Sequence, residues 1–164
     1  MIQLRIATHV DAPTILGFIK ALAEYEREPD AVQTDEATLR SQLQSSVPPF
    51  ECLIAEDEHA PIGFALFFHT YSTWRGRRGI WLEDLFVLPE ARGRGAGRTL
   101  LARVAAIAHA RGCARLEWSV LDWNQPALDF YRALGALPMD AWTTHRVTDE
   151  ALENLASLDG VANA

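Results

Sequence analysis

The sequence predicts a mixed α/β fold (α/β or α+β), a mostly antiparallel central sheet flanked by helices, and three observations carry that prediction. Residues 50–88 hold three apolar runs separated by short turn-forming stretches, the mark of an antiparallel meander. After it, a strand-like run at 115–120 lies between two segments with apolar residues at helical spacing, and such strand–helix alternation goes with parallel pairing. The bulk composition, 49% hydrophobic and 23% charged over 164 residues, is that of an ordinary globular chain. A chain of this length fits one domain that buries roughly 70% of its unfolded surface. Residues 1–157 are expected to form it, with 158–164 as a frayed tail.

Each element has its own signal. Residues 2–6 alternate apolar and polar, as a half-buried strand does. Asp11 is placed to cap a helix whose face is Ile15, Leu16, Ile19, Leu22 and Ala23. Thr34 is placed to cap a second helix reaching about Ser45, before Pro48 and Pro49 stop it. Strands follow at 50–55, 62–69 and 80–88, the first two joined through residues 57–61 and the last two through the loop 72–79. From Gly97 a helix presents Leu100, Leu101, Val104, Ala105 and Ala108, and Gly112 sits where a left-handed C-cap belongs. Residues 125–134 read as a helix ended by Gly135, residues 141–147 as a last strand, and residues 148–158 as a closing helix.

Charge and cysteine content narrow the function classes. Fifteen basic against 22 acidic residues give a net charge of −7, which argues against a nucleic-acid surface and mildly favours cationic partners. Cys52 and Cys113 each lie in an apolar run and are not closely spaced, so two buried free thiols in a reducing compartment are expected. The N-terminal stretch is too short and too alternating for a signal peptide, and no apolar run approaches the length of a membrane span, so the expected location is cytoplasmic, with no membrane partner. None of the five histidines has metal-ligand spacing, and no metal is expected.

The run Arg92-Gly93-Arg94-Gly95-Ala96-Gly97 lies between a strand and a helix. Its glycines remove the Cβ atoms that would hold an anion away, and successive backbone N–H groups then face a phosphate at the helix N-terminus. The dinucleotide fingerprint needs a glycine where Arg98 stands, and the nucleoside-triphosphate loop needs a Gly-Lys pair that occurs nowhere in the chain. Just before the loop, Glu83 and Asp84 interrupt an apolar strand. A regular strand puts Ile80, Leu82, Asp84 and Phe86 on one face and Trp81, Glu83, Leu85 and Val87 on the other. A carboxylate there is costly unless an arginine pairs with it or the chemistry uses it, and only a bulge would turn both acids to one substrate.

Leu82-Glu83-Asp84-Leu85-Phe86-Val87, the glycine run, Trp123-Asn124-Gln125-Pro126-Ala127 and Phe130-Tyr131 followed by Gly135-Ala136 together resemble the GNAT superfamily of acetyltransferases. Within it they look most like the diamine (spermidine/spermine) acetyltransferases, over residues 1–26 and 62–157. The resemblance implies a GNAT-like fold and acetyl-CoA as cofactor. Leu85, Phe86 and Val87 would offer backbone groups to the pantetheine. The amides of Gly93, Arg94, Gly95, Ala96, Gly97 and Arg98 would hold the pyrophosphate, with charge from Arg92 and Arg98. Asn124 would hold the cofactor arm, and Tyr131 would face the sulfur. Tyr25, Glu26, Glu83, Asp84 and Asp140 match positions lining or neighbouring the amine pocket. A homodimer is also implied.

The reaction this implies is transfer of acetyl to a primary amine of a small cationic molecule by direct attack in a ternary complex. An amine with a pKa near 10.4 is only about 1 part in 2,500 neutral at pH 7, roughly 4.6 kcal/mol of barrier, so a base is required. Glu83, directly or through a water, is the expected base. Tyr131 is the expected acid, although a phenol near 10 protonating a thiolate near 8.5 is uphill by about 2 kcal/mol, so stabilisation of the developing sulfur charge is its larger part. The arginine-rich loop at 74–79 and the segment 139–145 depart from the family pattern, and those arginines make an amino acid such as a lysine analogue an alternative acceptor. A non-catalytic acyl-CoA-binding module is the other alternative.

Overall fold

The computed structural model describes residues 1–159, so most of the tail expected at 158–164 lies outside the described residues. The chain divides into two compact units, Met1–Ser119 and Val120–Ala164. The first holds a five-stranded sheet in chain order, β1 (Gln3–Ile6), β2 (Glu51–Asp57), β3 (Ala60–Ser72), β4 (Arg77–Val87) and β5 (Leu116–Glu117). The first four strands pair antiparallel and β5 joins β4 in parallel, as the element order predicts.

Helix α1 (Ala12–Tyr25) is entered through a 3-10 turn at His9–Asp11, and this changes the role expected of Asp11. Its carboxylate turns back to accept the Thr8 N–H at 2.8 Å and to take a two-pronged pair from Arg5 at 2.7 and 2.8 Å, so it caps the short turn rather than α1. The Arg5 hydrogen bond holds the buried Asp11 carboxyl below the usual range, which ties β1 to the start of α1. Helix α2 (Glu36–Gln44) is capped by Asp35, whose carboxylate accepts the Thr38 N–H at 2.8 Å, and not by Thr34.

The meander is longer than its sequence signal. The β2–β3 connection is a tight turn in which Glu58 and His59 both take positive φ, the geometry that suits strand twist, so pairing continues to Asp57↔Ala60. The β3–β4 ladder likewise runs to Ser72↔Arg77. Helix α3 (Ala96–Ala110) buries Leu100, Leu101, Val104 and Ala108 as expected, together with Ala96, whereas Ala105 is exposed. Gly112 closes it at φ +66°.

One face of the sheet carries the core under α1 and α2: Ile15 and Phe18 from α1 and Leu39 from α2 pack with Cys52, Ile54, Phe64, Leu66 and Phe86. Phe18, absent from the face read off the sequence, stacks on Phe64 with ring centroids 5.4 Å apart. Of the two free thiols expected to be buried, only Cys52 is, and Cys113 is half-buried.

The second unit contains α4 (Gln125–Ala133) and α5 (Asp149–Ala156). Gly135 ends α4 at φ +86°, as its place in the sequence predicts. The last strand expected at 141–147 does not form; these residues have no regular structure and are exposed. A strand is made by a neighbour's ladder of hydrogen bonds, which a local pattern does not supply. Among residues 120–159, Asn124 alone is buried.

Candidate active site

The decisive irregularity lies in β4. The register Leu66↔Asp84 gives way to Phe67↔Leu82, which leaves Glu83 as the extra residue of a β-bulge. The alternation expected of a regular strand is therefore broken. Asp84 and Phe86 pair with Leu66 and Phe64 on the face under α1, while Leu82 and Ile80 pair with Phe67 and His69 on the other. Trp81 lies opposite Phe68, which shares the face of Leu66, and the Trp81 indole N–H donates to Glu83 Oε2 at 2.8 Å. Trp81, Glu83 and Asp84 thus project from the same side of the strand. Trp81 was not among the site residues expected from sequence, because only the bulge makes it the partner of Glu83.

Electrostatics separates the two acids. Glu83 is exposed and held by the indole, whereas burial, with the charges of Glu83 and Glu26, pushes the Asp84 carboxyl up to about 7. Glu26, just past the end of α1, is itself raised by burial. Asp84 forms no ion pair among the described residues, so the arginine-paired alternative for this carboxylate is not realised. Three acids from β4 and the end of α1 make one negative cluster, including a carboxyl that titrates near neutrality.

The C-terminal end of β4, directly after these acids, has the features an anionic cofactor requires. Pairing with β5 covers only Ile80↔Leu116 and Trp81↔Glu117, so beyond Trp81 the strand has a ladder partner on the β3 side alone. The backbone of Leu85, Phe86 and Val87 lies in this splayed stretch. Gly93 and Gly95 take φ +74° and +91°, and a Cβ on either would enter open space, leaving an uncovered cradle. Gly95 caps α3 without a side-chain hydrogen bond, and no acidic residue occupies the first turn, so the helix N-terminus is left for an external anion. These residues fit a pyrophosphate.

Two arginines of the loop are committed elsewhere. The Arg94 guanidinium pairs with Asp57 at the end of β2. Arg92 Nε donates to the Val87 carbonyl at 2.9 Å, and its guanidinium lies over the rings of Tyr25 and Phe86, 4.6 and 5.5 Å from their centroids. The Arg92 side chain thus lies along the end of β4 and against the end of α1. Arg98 is exposed in the first turn of α3.

In the second unit, Asn124 caps α4 by accepting the Ala127 N–H at 3.3 Å, so its amide oxygen already has a structural task. Tyr131 lies on α4, its ring tilted against Phe130 at 5.2 Å, and Asp140 is exposed in an irregular segment.

A family model for the GNAT acetyltransferases matches residues 15–136. The chain belongs to the GNAT acetyltransferase family. This acetyltransferase is 40% identical to a thialysine N-epsilon-acetyltransferase of Bos taurus, over 94% of its own length and 97% of the relative's. It is 35% identical to the human spermidine/spermine N(1)-acetyltransferase-like protein 1, over 94% of this chain and 24% of that one. A solved integron cassette protein from the mobile metagenome of V. cholerae shares the fold, with a TM-score of 0.79 at 24% identity over 94% of this chain and 97% of that one. As a GNAT enzyme, the protein is an N-acetyltransferase that uses acetyl-CoA as acetyl donor.

Proposed function

We propose that this acetyltransferase moves the acetyl group to a primary amine of a small cationic molecule of the diamine or polyamine kind. The observation that carries this reading is the β4 bulge, which turns Glu83 and Asp84 to one side of the strand, near the charge of Glu26. An ammonium ion is drawn to such a cluster, yet it must lose a proton before it can attack. Glu83 and Asp84 share the base role, Glu83 nearest solvent and Asp84 as the proton store. Moving a proton from an amine near 10.4 costs about 8 kcal/mol to an ordinary carboxylate near 4.3. To a carboxyl at about 7 it costs about 5 kcal/mol. Tyr25 and Asp140 complete the proposed acceptor set.

The thioester of acetyl-CoA supplies the activated acetyl group. Leu85, Phe86, Val87 and the amides of residues 93–98 would hold it, together with Asn124, and the Tyr131 hydroxyl would donate a hydrogen bond, then a proton, at the departing sulfur. A covalent acetyl-cysteine route is disfavoured because burial pushes the Cys52 thiol up, away from its reactive form. Residues 1–157 are proposed to act as one acetyltransferase domain, a reading supported by a family match that crosses the boundary between the two units.

A lysine-like amino acid is the second reading. It is favoured by Arg75, Arg77 and Arg78, exposed at the β3–β4 turn and suited to a carboxylate, and by the name of the bovine relative. Thiol release from acetyl-CoA, followed against diamines, polyamines, lysine analogues and peptides, separates these readings. Turnover with diamines and polyamines supports the main one, preference for amino acids the second, and binding of acetyl-CoA without release across the panel a non-catalytic module. Tyr131→Phe is expected to lower kcat by about 10–100-fold with little change in acceptor KM. Full turnover in that variant removes Tyr131 from the chemistry.

A homodimer is also proposed, supported by exposed Leu137, Trp142, Leu152 and Leu155 in the second unit. Light scattering at twice the 18.2 kDa chain mass is the expected result, and a mass of one chain overturns it. The free Cys52 and Cys113 support a reducing, cytoplasmic setting.

A further inference from the structure

We propose that Arg92 is a positioning residue for the acceptor amine, acting through Tyr25, rather than a ligand of the phosphate. This inference rests on the acceptor reading above. Arg92 opens the glycine loop in sequence, but its side chain is directed away from it: Nε is engaged by the Val87 carbonyl at 2.9 Å, and the guanidinium plane covers Tyr25 at 4.6 Å. Tyr25 is the last residue of α1, and the next residue is Glu26, whose charge acts on Asp84. Arg92 therefore clamps the end of α1 against the end of β4. The clamp adds to the packing of Leu22 and Tyr25 on the core and to the Phe18 contacts with Phe64 and Phe86, two turns back along α1, which already fix the helix against the sheet. The acid cluster is built from both elements, so its spacing depends on what holds them together.

The guanidinium over Tyr25 forms no salt bridge with Glu26, Glu83 or Asp84 among the described residues. It leaves the three carboxyls available to an incoming ammonium while keeping the ring of Tyr25 in one orientation. A lysine at this position would keep charge over the ring, but it has no Nε–H to hold the Val87 carbonyl in the same geometry.

The test is a double-mutant cycle on acceptor KM, with the acetyl-CoA Kd measured separately by calorimetry and folding checked by thermal denaturation. Arg92→Ala and Tyr25→Leu are each expected to raise acceptor KM by about three- to fivefold, the scale of an exposed cation–π contact. The double variant should be no worse than either alone, because both remove one contact, and Arg92→Lys should restore part of the loss. Effects that multiply in the double variant, or an Arg92→Ala change confined to acetyl-CoA Kd, overturn the proposal. If Asp84→Asn alters acceptor kinetics while neither Arg92→Ala nor Tyr25→Leu does, the clamp fails and the acceptor reading survives. If Asp84→Asn also leaves them unchanged, the acceptor reading itself fails.

Discussion

Asp84→Asn is expected to lower kcat/KM for the acceptor amine by about 10²–10⁴-fold, the range for loss of a positioned acid or base. The pH profile should change in shape as well as height. With Asp84 titrating at about 7, kcat/KM of the native enzyme rises with pH up to neutrality and then levels off. Once the carboxylate is gone, the profile should keep rising above pH 7 toward the amine's own pKa near 10.4, because solvent must then remove the proton. Glu83→Gln should instead move the limb to lower pH, since the charge of Glu83 is one cause of the raised Asp84 value. An Asp84→Asn profile that keeps the native limb would assign it to another group.

The same substitution has a predicted sign for stability. The Asp84 carboxyl is raised from 3.8 to about 7 on folding, so between those pH values the folded state binds the extra proton and stability falls as pH rises. Above pH 7 the native protein bears the full cost of the ionised group, and the amide does not. Asp84→Asn should therefore be more resistant to thermal unfolding at pH 8 than the native protein, with the gain shrinking toward pH 4. A variant that is both slower and more stable is the outcome expected when burial of a carboxyl serves the reaction.

Phe64→Ala should cost about 3–5 kcal/mol of stability, equivalent to a fall in melting temperature of roughly 6–20 °C. Phe64 is fully buried, it stacks on Phe18 of α1, and it pairs across the sheet with Phe86. Its removal leaves a cavity between the helix that leads to Tyr25 and Glu26 and the strand that carries Asp84. Urea unfolding reads the loss directly, and a change below about 1 kcal/mol would mean that the α1 face is not the anchor described. Phe64→Leu, which keeps most of the volume, should lose less.

Much of the architecture is legible in local sequence. The antiparallel meander, the long helix from the glycine run to Gly112, and α4 with its Gly135 stop all follow from apolar spacing and from glycines that must take positive φ. Caps were less legible, because Asp11 and Asp35 each compete with nearby threonines and the winner depends on which N–H groups the entering chain leaves open. The absent strand at 141–147 marks the limit of periodicity: alternation can prepare a segment for pairing, but an edge in space has to receive it.

For the site, the sequence by itself placed the proposed cofactor cradle, because glycines at 93 and 95 before a helix with no acid in its first turn leave its N-terminus open to an anion. It also placed Glu83 and Asp84 in the strand that leads there. Only the tertiary structure decided what those acids can do. Strand alternation assigns them opposite faces, and the one-residue slip between Leu66 and Phe67 turns them to the same one. That slip is a property of the pairing between β3 and β4, not of either strand alone. Burial against the core under α1, which no local pattern reports, then gives Asp84 its affinity for a proton near pH 7.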